Sequence, residues 1–372
     1  MKIAFIHPAL MDYRLELFDK LNETHDITFI FTQQSRGQDN AKEKHLEKIP
    51  QKWNHKILKS DKLLVRGRSI IMYLRLIREL SKRNYDIVLT STSRYICFPI
   101  AKITGKKFIF WTEFWSLPSN SFIKRLLNIS TRFIAKHSDA VIATGTKAYK
   151  TYLKLGVPVE KIFTCPQCAI DYSRTPTKDL REELGLEDKK IILFVGRIVR
   201  MKGLDYLIKS FALLENIMDN VVLVVVGDGP YRKECEYLAK ELGDENIIFS
   251  GFQDKMRASY YKTCDVFVLP SILFGDEYEA WGLVINEAMA FGKPIITTDA
   301  VGAADDLVKE GYNGYAVKNK SVEELHETLY KIISNPGLAK MMGENSRRIF
   351  EEINDYENMF GIFRDAINYV QK

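Results

Sequence analysis

Short runs of consecutive apolar residues alternate along the chain with longer stretches of helical periodicity. KIAFIH (2–7), ITFIF (27–31), DIVLT (86–90), KKFIFW (106–111) and DAVIAT (139–144) make a first series. IILFVG (191–196), VVLVVVG (221–227), NIIFSG (246–251), DVFVLP (265–270) and PIITT (294–298) make a second. The apolar residues are contiguous rather than alternating, as in strands buried on both faces. Between them, LDYLIKSFALL (204–214) and YRKECEYLAKEL (231–242) read as amphipathic helices. Strands alternating with helices predict βαβ units and parallel sheets. The proline- and charge-containing stretch Ser173–Asp188 separates the two series. The expected fold class is therefore α/β, with two tandem, doubly wound, Rossmann-like domains at 1–172 and 173–354. From Val322 onward the pattern is helical, and residues 355–372 are expected to pack back on the first domain. No repeat of 20–50 residues is visible.

Composition narrows the class. The chain has 372 residues, 46% hydrophobic and 27% charged, which suits two globular domains of about 180 residues each. No apolar run approaches the roughly 20 residues of a membrane span. The opening MKIAFIHPAL has too short an apolar run for a secretory signal, so a cytoplasmic protein is expected. Five cysteines, an odd number, fit reduced thiols. Cys165-Pro166-Gln167-Cys168 has redox spacing, but it is not at the start of a helix after a first strand. Coincidence is the better reading.

Net charge divides the chain. Residues 1–174 hold 30 basic against 15 acidic side chains; the other 198 hold 54 − 30 = 24 against 48 − 15 = 33. A balance of +15 facing −9 predicts that the first half meets an anion, unless it is simply a solvated basic face. Two segments sharpen this. SFIKRLLNISTRFIAKH (121–137) sets Phe122, Ile123, Leu126, Leu127, Phe133 and Ile134 against Lys124, Arg132 and Lys136. Lys62–Arg83 sets Arg66, Arg68, Arg75, Arg78, Lys82 and Arg83 around Ile70, Ile71, Leu74 and Ile77. Basic amphipathic helices suit an anionic membrane surface. The plain alternative is a helix with its apolar face on its own sheet. A nucleic-acid partner is disfavoured, because no recognised module is present and aromatics are not interleaved with the basic runs.

Three loops of the second half follow strands, where α/β sheets bind ligands. Gly196-Arg197-Ile198-Val199-Arg200-Met201-Lys202-Gly203 offers a guanidinium fork and an ammonium between glycines, a natural diphosphate partner. Gly227-Asp228-Gly229-Pro230 closes the next strand and, alone, is a turn signal. Glu279-Ala280-Trp281-Gly282-Leu283-Val284-Ile285-Asn286-Glu287-Ala288-Met289-Ala290-Phe291-Gly292 holds two glutamates eight residues apart. Gly282 begins the helix, whose free N–H groups attract phosphate. A carboxylate near its first turn can bind the vicinal hydroxyls of a ribose.

In this order the loops resemble the retaining glycosyltransferases of family 4, which have the GT-B fold. The elements are G-R-x-x-x-x-K-G (Gly196–Gly203), G-D-G-P, E-x7-E with its E-A-W-G-L opening and E-A-M-A-x-G ending, and Gly311-Tyr312-Asn313-Gly314-Tyr315. The resemblance is specific across 190–317 and loose in the first half. It implies two domains facing a cleft, with a nucleotide-diphosphate-sugar as co-substrate on the second. Arg197, Lys202 and Glu279 would be catalytic: the cations neutralise the diphosphate, while the carboxylate positions the sugar. Gly196, Gly203, Gly227, Asp228, Gly229, Gly282, Leu283 and Glu287 would bind the donor, Glu287 through the ribose. No metal or other cofactor is implied, and no D-x-D motif stands in a suitable place. The implied acceptor is a glycan or lipid-linked glycan at the cytoplasmic face of the membrane, with a soluble acceptor as the alternative.

Two departures concern the first domain. The family's histidine after a first-domain strand is missing from Phe108-Ile109-Phe110-Trp111-Thr112-Glu113-Phe114-Trp115, where Glu113 is the candidate contact. The usual Gly-Gly pair is replaced by His7-Pro8-Ala9-Leu10. His7 is a candidate donor or acceptor contact, balanced against a buried structural histidine.

Overall fold

The computed structural model describes residues 1–32, 49–58, 64–65, 68–82, 84–117, 122–243 and 245–372. Lys62, Arg66 and Arg83 of the basic stretch lie outside them. The chain forms two compact units, Met1–Cys165 with Tyr356–Lys372, and Pro166–Asp355.

The first unit is a seven-stranded parallel sheet in the order β3-β2-β1-β6-β7-β8-β9. The strands are β1 (Lys2–His7), β2 (Asp26–Thr32), β3 (His55–Leu58), β6 (Ile87–Thr90), β7 (Lys107–Thr112), β8 (Ala140–Ala143) and β9 (Ile162–Thr164). The pair β4 (Leu64–Val65) and β5 (Arg68–Ser69) stands apart as a small antiparallel ribbon. Helices α1 (Leu15–Thr24), α2 (Ile70–Leu80), α3 (Arg94–Ile103), α4 (Phe122–His137) and α5 (Gly145–Lys154) make the connections.

Alternation along β1 sorts this unit into two faces. Ala4 and Ile6 share one core with Leu76 of α2 and Phe98 of α3. Phe5, on the other face, meets Phe18 of α1 at 4.9 Å and Phe363 of the C-terminal helix Tyr356–Gln371 at 6.4 Å. Trp111 closes on Phe363 at 5.1 Å. The last helix in sequence is thus part of the first unit's core, tied also by Tyr356 Oη donating to the Tyr13 carbonyl at 2.9 Å.

The second unit is a six-stranded parallel sheet, β12-β11-β10-β13-β14-β15. Its strands are β10 (Lys190–Val195), β11 (Val221–Val226), β12 (Ile247–Gly251), β13 (Val266–Leu269), β14 (Ile295–Thr298) and β15 (Gly314–Val317). Ile192 and Phe194 face α6 (Leu204–Glu215) and α7 (Arg232–Glu241); Ile191, Leu193 and Val195 face α8 (Arg257–Thr263) and α9 (Leu283–Ala290). Helices Val322–Ile333 and Pro336–Ile353 complete the two layers. Both units are Rossmann-like α/β domains. In each, strand order reverses once at the centre, between β1 and β6 and between β10 and β13. Ligands bind beyond the carboxyl ends of strands at such points.

Candidate active site

The second unit's switch point gathers the loops singled out in the sequence. After β10 the chain runs through Gly196–Val199 and a 3-10 turn, Arg200–Lys202, to Gly203, which starts α6 at φ +65°. After β13, Ile272 N–H donates to the Met201 carbonyl at 2.8 Å, joining the two loops. The G-D-G-P turn follows β11, and its Asp228 carbonyl accepts from Ile198 N–H at 2.9 Å. Pro230 lies in this turn, and α7 begins two residues later, at Arg232. Gly227 sits at φ +148°, where an added Cβ would lie 1.8 Å from the Gly196 carbonyl oxygen. Backbone therefore touches backbone across the first two loops, which only glycine allows.

Lys202 Nζ and the Glu279 carboxylate form an ion pair, with the two side chains 15% and 14% exposed. Ser271 Oγ, at the end of β13, reaches the same carboxylate oxygen at 3.5 Å. Glu279 is fixed by its backbone as well: its carbonyl accepts from Gly302 N–H at 3.0 Å. Arg197 is exposed on the same loop as Lys202. Gly282, the N-cap of α9, has φ +101°, and a Cβ there would meet Leu269 Cδ2 at 2.9 Å. Leu283 opens the helix with its N–H at the free end.

Glu287, in the second turn of α9, is buried. It accepts from Tyr261 Oη at 2.8 Å and pairs with Arg257 Nε at 3.6 Å. Burial raises its carboxyl above the usual range, opposed by the Arg257 charge and the Tyr261 hydrogen bond. The structure thus brings Gly196, Lys202, Gly203, Gly227, Asp228, Gly229 and Glu279 onto adjoining loops, with Gly282 and Leu283 capping α9. Glu287 stands deeper, on its own partners. Sequence reasoning missed those partners: Arg257 and Tyr261 are an i,i+4 pair on α8, a spacing too ordinary to flag. Among the described residues, no group of three or more His, Cys, Asp or Glu side chains could hold a metal ion.

The family model described as "Glycosyl transferases group 1" matches residues 176–349, which contain all these loops. The second unit is similar to that family over most of its length. An uncharacterized glycosyltransferase of Methanocaldococcus jannaschii is 28% identical to the chain over 326 residues, 78% of each protein. The lipopolysaccharide 1,2-N-acetylglucosaminetransferase of Salmonella typhimurium is 30% identical over 190 residues. That match covers 48% of this chain and 49% of the relative, so the chain spans about half that enzyme's length. The crystal structure of Anabaena HepE in complex with UDP superposes with a TM-score of 0.77 at 20% identity, covering 99% of this chain and 100% of that one. The chain thus has the GT-B fold class, two Rossmann-like parallel-sheet domains.

The second unit accounts for one set of candidates; His7 and Glu113 belong to the first unit, at the carboxyl ends of β1 and β7. His7 is buried, stacks on Trp111 at 5.5 Å between ring centroids, and donates from Nδ1 to the Ala9 carbonyl at 2.6 Å. Its Nε2 is then the acceptor. Burial first, and the Arg14 charge second, lower its pKa from 6.5 to about 3, against the Ala9 hydrogen bond. Glu113 accepts from Arg14 Nη2 at 3.2 Å, and Arg14 is 1% exposed beneath the Trp111 ring. Arg14 is the residue the sequence concealed, since nothing in Tyr13-Arg14 marks a buried guanidinium.

The His7 shift has a measurable sign. The unfolded chain binds the proton below pH 6.5, while the folded chain resists it until about pH 3. Stability of the first unit should therefore fall as pH drops, by about 2 kcal/mol between pH 7 and pH 5 from this group. Hydrogen exchange in β1 at the two pH values measures it. His7→Asn should flatten that loss, and an unchanged slope in this variant would refute the assignment.

Proposed function

We propose that the chain is a retaining glycosyltransferase that moves a sugar from a nucleotide-diphosphate-sugar to a glycan or lipid-linked acceptor at the cytoplasmic membrane face. The observation that carries this reading is the Lys202–Glu279 ion pair at the second switch point, on loops whose backbones touch through glycine. An ammonium and a carboxylate, held in contact, match the two charges of the reaction. Lys202 and Arg197 face the diphosphate, whose negative charge grows as the bond to the anomeric carbon breaks. Glu279 faces the sugar, whose anomeric carbon becomes positive. N–H groups at Gly282 and Leu283 take the distal phosphate, and the Gly227–Gly229 turn borders the nucleotide. Glu287 binds the ribose with its carboxylate oriented by Tyr261 and Arg257. His7 and Glu113 are candidate contacts to the donor or the acceptor.

Retention follows if the acceptor oxygen attacks from the face that the phosphate leaves. The acceptor's proton then passes to the departing diphosphate oxygen, and no covalent sugar–enzyme bond forms. Fixed cations and a helix N-terminus supply the charge stabilisation that a divalent ion would otherwise give, so turnover is expected to persist in EDTA.

A thermal-shift panel of UDP-, GDP- and ADP-sugars, each with and without EDTA, tests both claims. The correct donor at 100 times its Kd should stabilise the second unit by about 2.7 kcal/mol. Stabilisation by none of them, or only with added Mg²⁺ or Mn²⁺, would overturn the donor site as drawn.

A further inference from the structure

Helix α4 leaves most of its large apolar side chains exposed, although Ile134 is buried and one edge of Phe133 meets Phe98 of α3 at 6.1 Å between ring centroids. Its inward positions are Thr131, Ile134 and Ala135, continued by Ser138 just past its end, all at most 4% exposed. The seat is partly polar, since Arg94 and Tyr95 of α3 hydrogen-bond to Thr131 Oγ1. Phe122, Leu126, Ile129 and Phe133 are instead 75%, 48%, 64% and 55% exposed. Their spacing of i, i+4, i+7 and i+11 makes a single stripe, about 180° around the helix from Thr131 and Ser138. Between Phe122 and Ser130 no described side chain is buried. Arg125, Arg132 and Lys136 run along one side of the stripe, and α4 contains no Asp or Glu.

A surface helix ordinarily points such a stripe at the core. An exposed apolar stripe edged with cations needs an outer partner, and its charge selects which one. A twofold contact with a second copy would set the cations of α4 against themselves. A nucleic acid would neutralise the bases but leave Leu126 and Ile129 in water. Anionic headgroups over acyl chains satisfy both halves of the pattern. Placement agrees. Helix α4 follows β7 and starts near the carboxyl end of that strand, where Asn128 Nδ2 donates to the Leu117 carbonyl at 3.0 Å. The most exposed turns are thus on the sheet edge that carries His7 and Glu113. Among the described residues no helix is long and apolar enough to cross a membrane.

We infer that α4 lies flat on an anionic bilayer with Phe122, Leu126, Ile129 and Phe133 inserted, presenting the acceptor edge of the first unit to the lipid surface. This rests on the proposed membrane-side acceptor for its purpose and on α4 alone for its geometry.

Sedimentation of the full chain with mixed phosphatidylcholine–phosphatidylglycerol vesicles, against phosphatidylcholine alone, provides the test. The chain should pellet with the anionic vesicles only. Phe122→Ser combined with Phe133→Ser should weaken partitioning at least about tenfold. Arg125→Gln and Lys136→Gln should weaken it by about fivefold per charge. Both variants should keep the wild-type melting temperature and sugar-nucleotide stabilisation. No vesicle binding, or binding that survives the double Phe substitution, would refute the inference. So would a concentration-dependent dimer that the same substitution abolishes, or tighter binding to an oligonucleotide than to vesicles. Should vesicle binding behave as expected while no sugar-nucleotide stabilises the chain, the glycosyl-transfer reading fails and the membrane face stands.

Discussion

Replacing Lys202 with methionine is expected to lower kcat/KM about a hundredfold or more, with most of the loss in kcat. Methionine keeps the apolar stem and removes only the ammonium. In the resting protein that ammonium holds the Glu279 carboxylate, and both side chains are about six-sevenths covered. In the proposed reaction the charge of the departing diphosphate grows where the cation already stands, so no reorganisation is needed. Losing one fixed charge of this kind costs about 3 kcal/mol in the transition state, which is a factor of about 100. Glu279→Gln, nearly equal in volume, should also act chiefly on kcat, because it weakens support for the positive anomeric carbon more than it weakens donor binding. The two residues touch, so the double variant should lose less than the product of the single losses. Steady-state kinetics on all three variants decides the matter. Wild-type kcat/KM in Lys202→Met, or strictly multiplicative losses, would remove the pair from the reaction.

The second large effect is on folding. Gly227→Ala is expected to destabilise the second unit by about 3–5 kcal/mol. At φ +148° an L residue is strained, and its Cβ would lie 1.8 Å from the Gly196 carbonyl oxygen. Neither strand can yield cheaply. Gly196 N–H donates to Val226, and Gly227 N–H donates to Gly251 at 2.8 Å. Gly243→Ala is the control. That glycine also has positive φ, +72°, but nothing lies within 4 Å of its added Cβ, so only the backbone cost of about 1 kcal/mol remains. Hydrogen exchange across Val221–Val226 would compare the two. Equal protection in both variants would show that the loop accommodates a methyl group and is not the rigid contact described.

The strands of both sheets were legible wherever burial on two faces forced contiguous apolar residues. KIAFIH, VVLVVV and PIITT each fall on an observed strand. β3, β9 and β15 were not legible, because edge strands such as HKIL and IFT are short, only partly buried and carry polar residues. β12, also at an edge, shows through its Ile247-Ile248-Phe249 run. The candidate loops were visible through their glycines, whose positions are set by backbone contacts that a sequence records directly. Invisible were contacts between residues far apart: Lys202 with Glu279, Glu113 with Arg14, and Glu287 with Arg257. Helix α4 shows a different limit. Its sequence displays an amphipathic pattern, yet periodicity does not say which face turns inward. Ile134 proved to belong to the seat and Phe133 to the exposed stripe.

The C-terminal helix has a consequence for how the protein is made. Phe363, wholly buried, sits against Phe5 and Trp111, which a ribosome would have synthesised more than two hundred residues earlier. The second unit is continuous, Pro166–Asp355, and all its strands and helices can be in place before the chain is finished. The unit begun first is therefore the one completed last. Until residues 356–371 emerge, the part of its aromatic face around Trp111 that Phe363 covers stays open to water or to a chaperone.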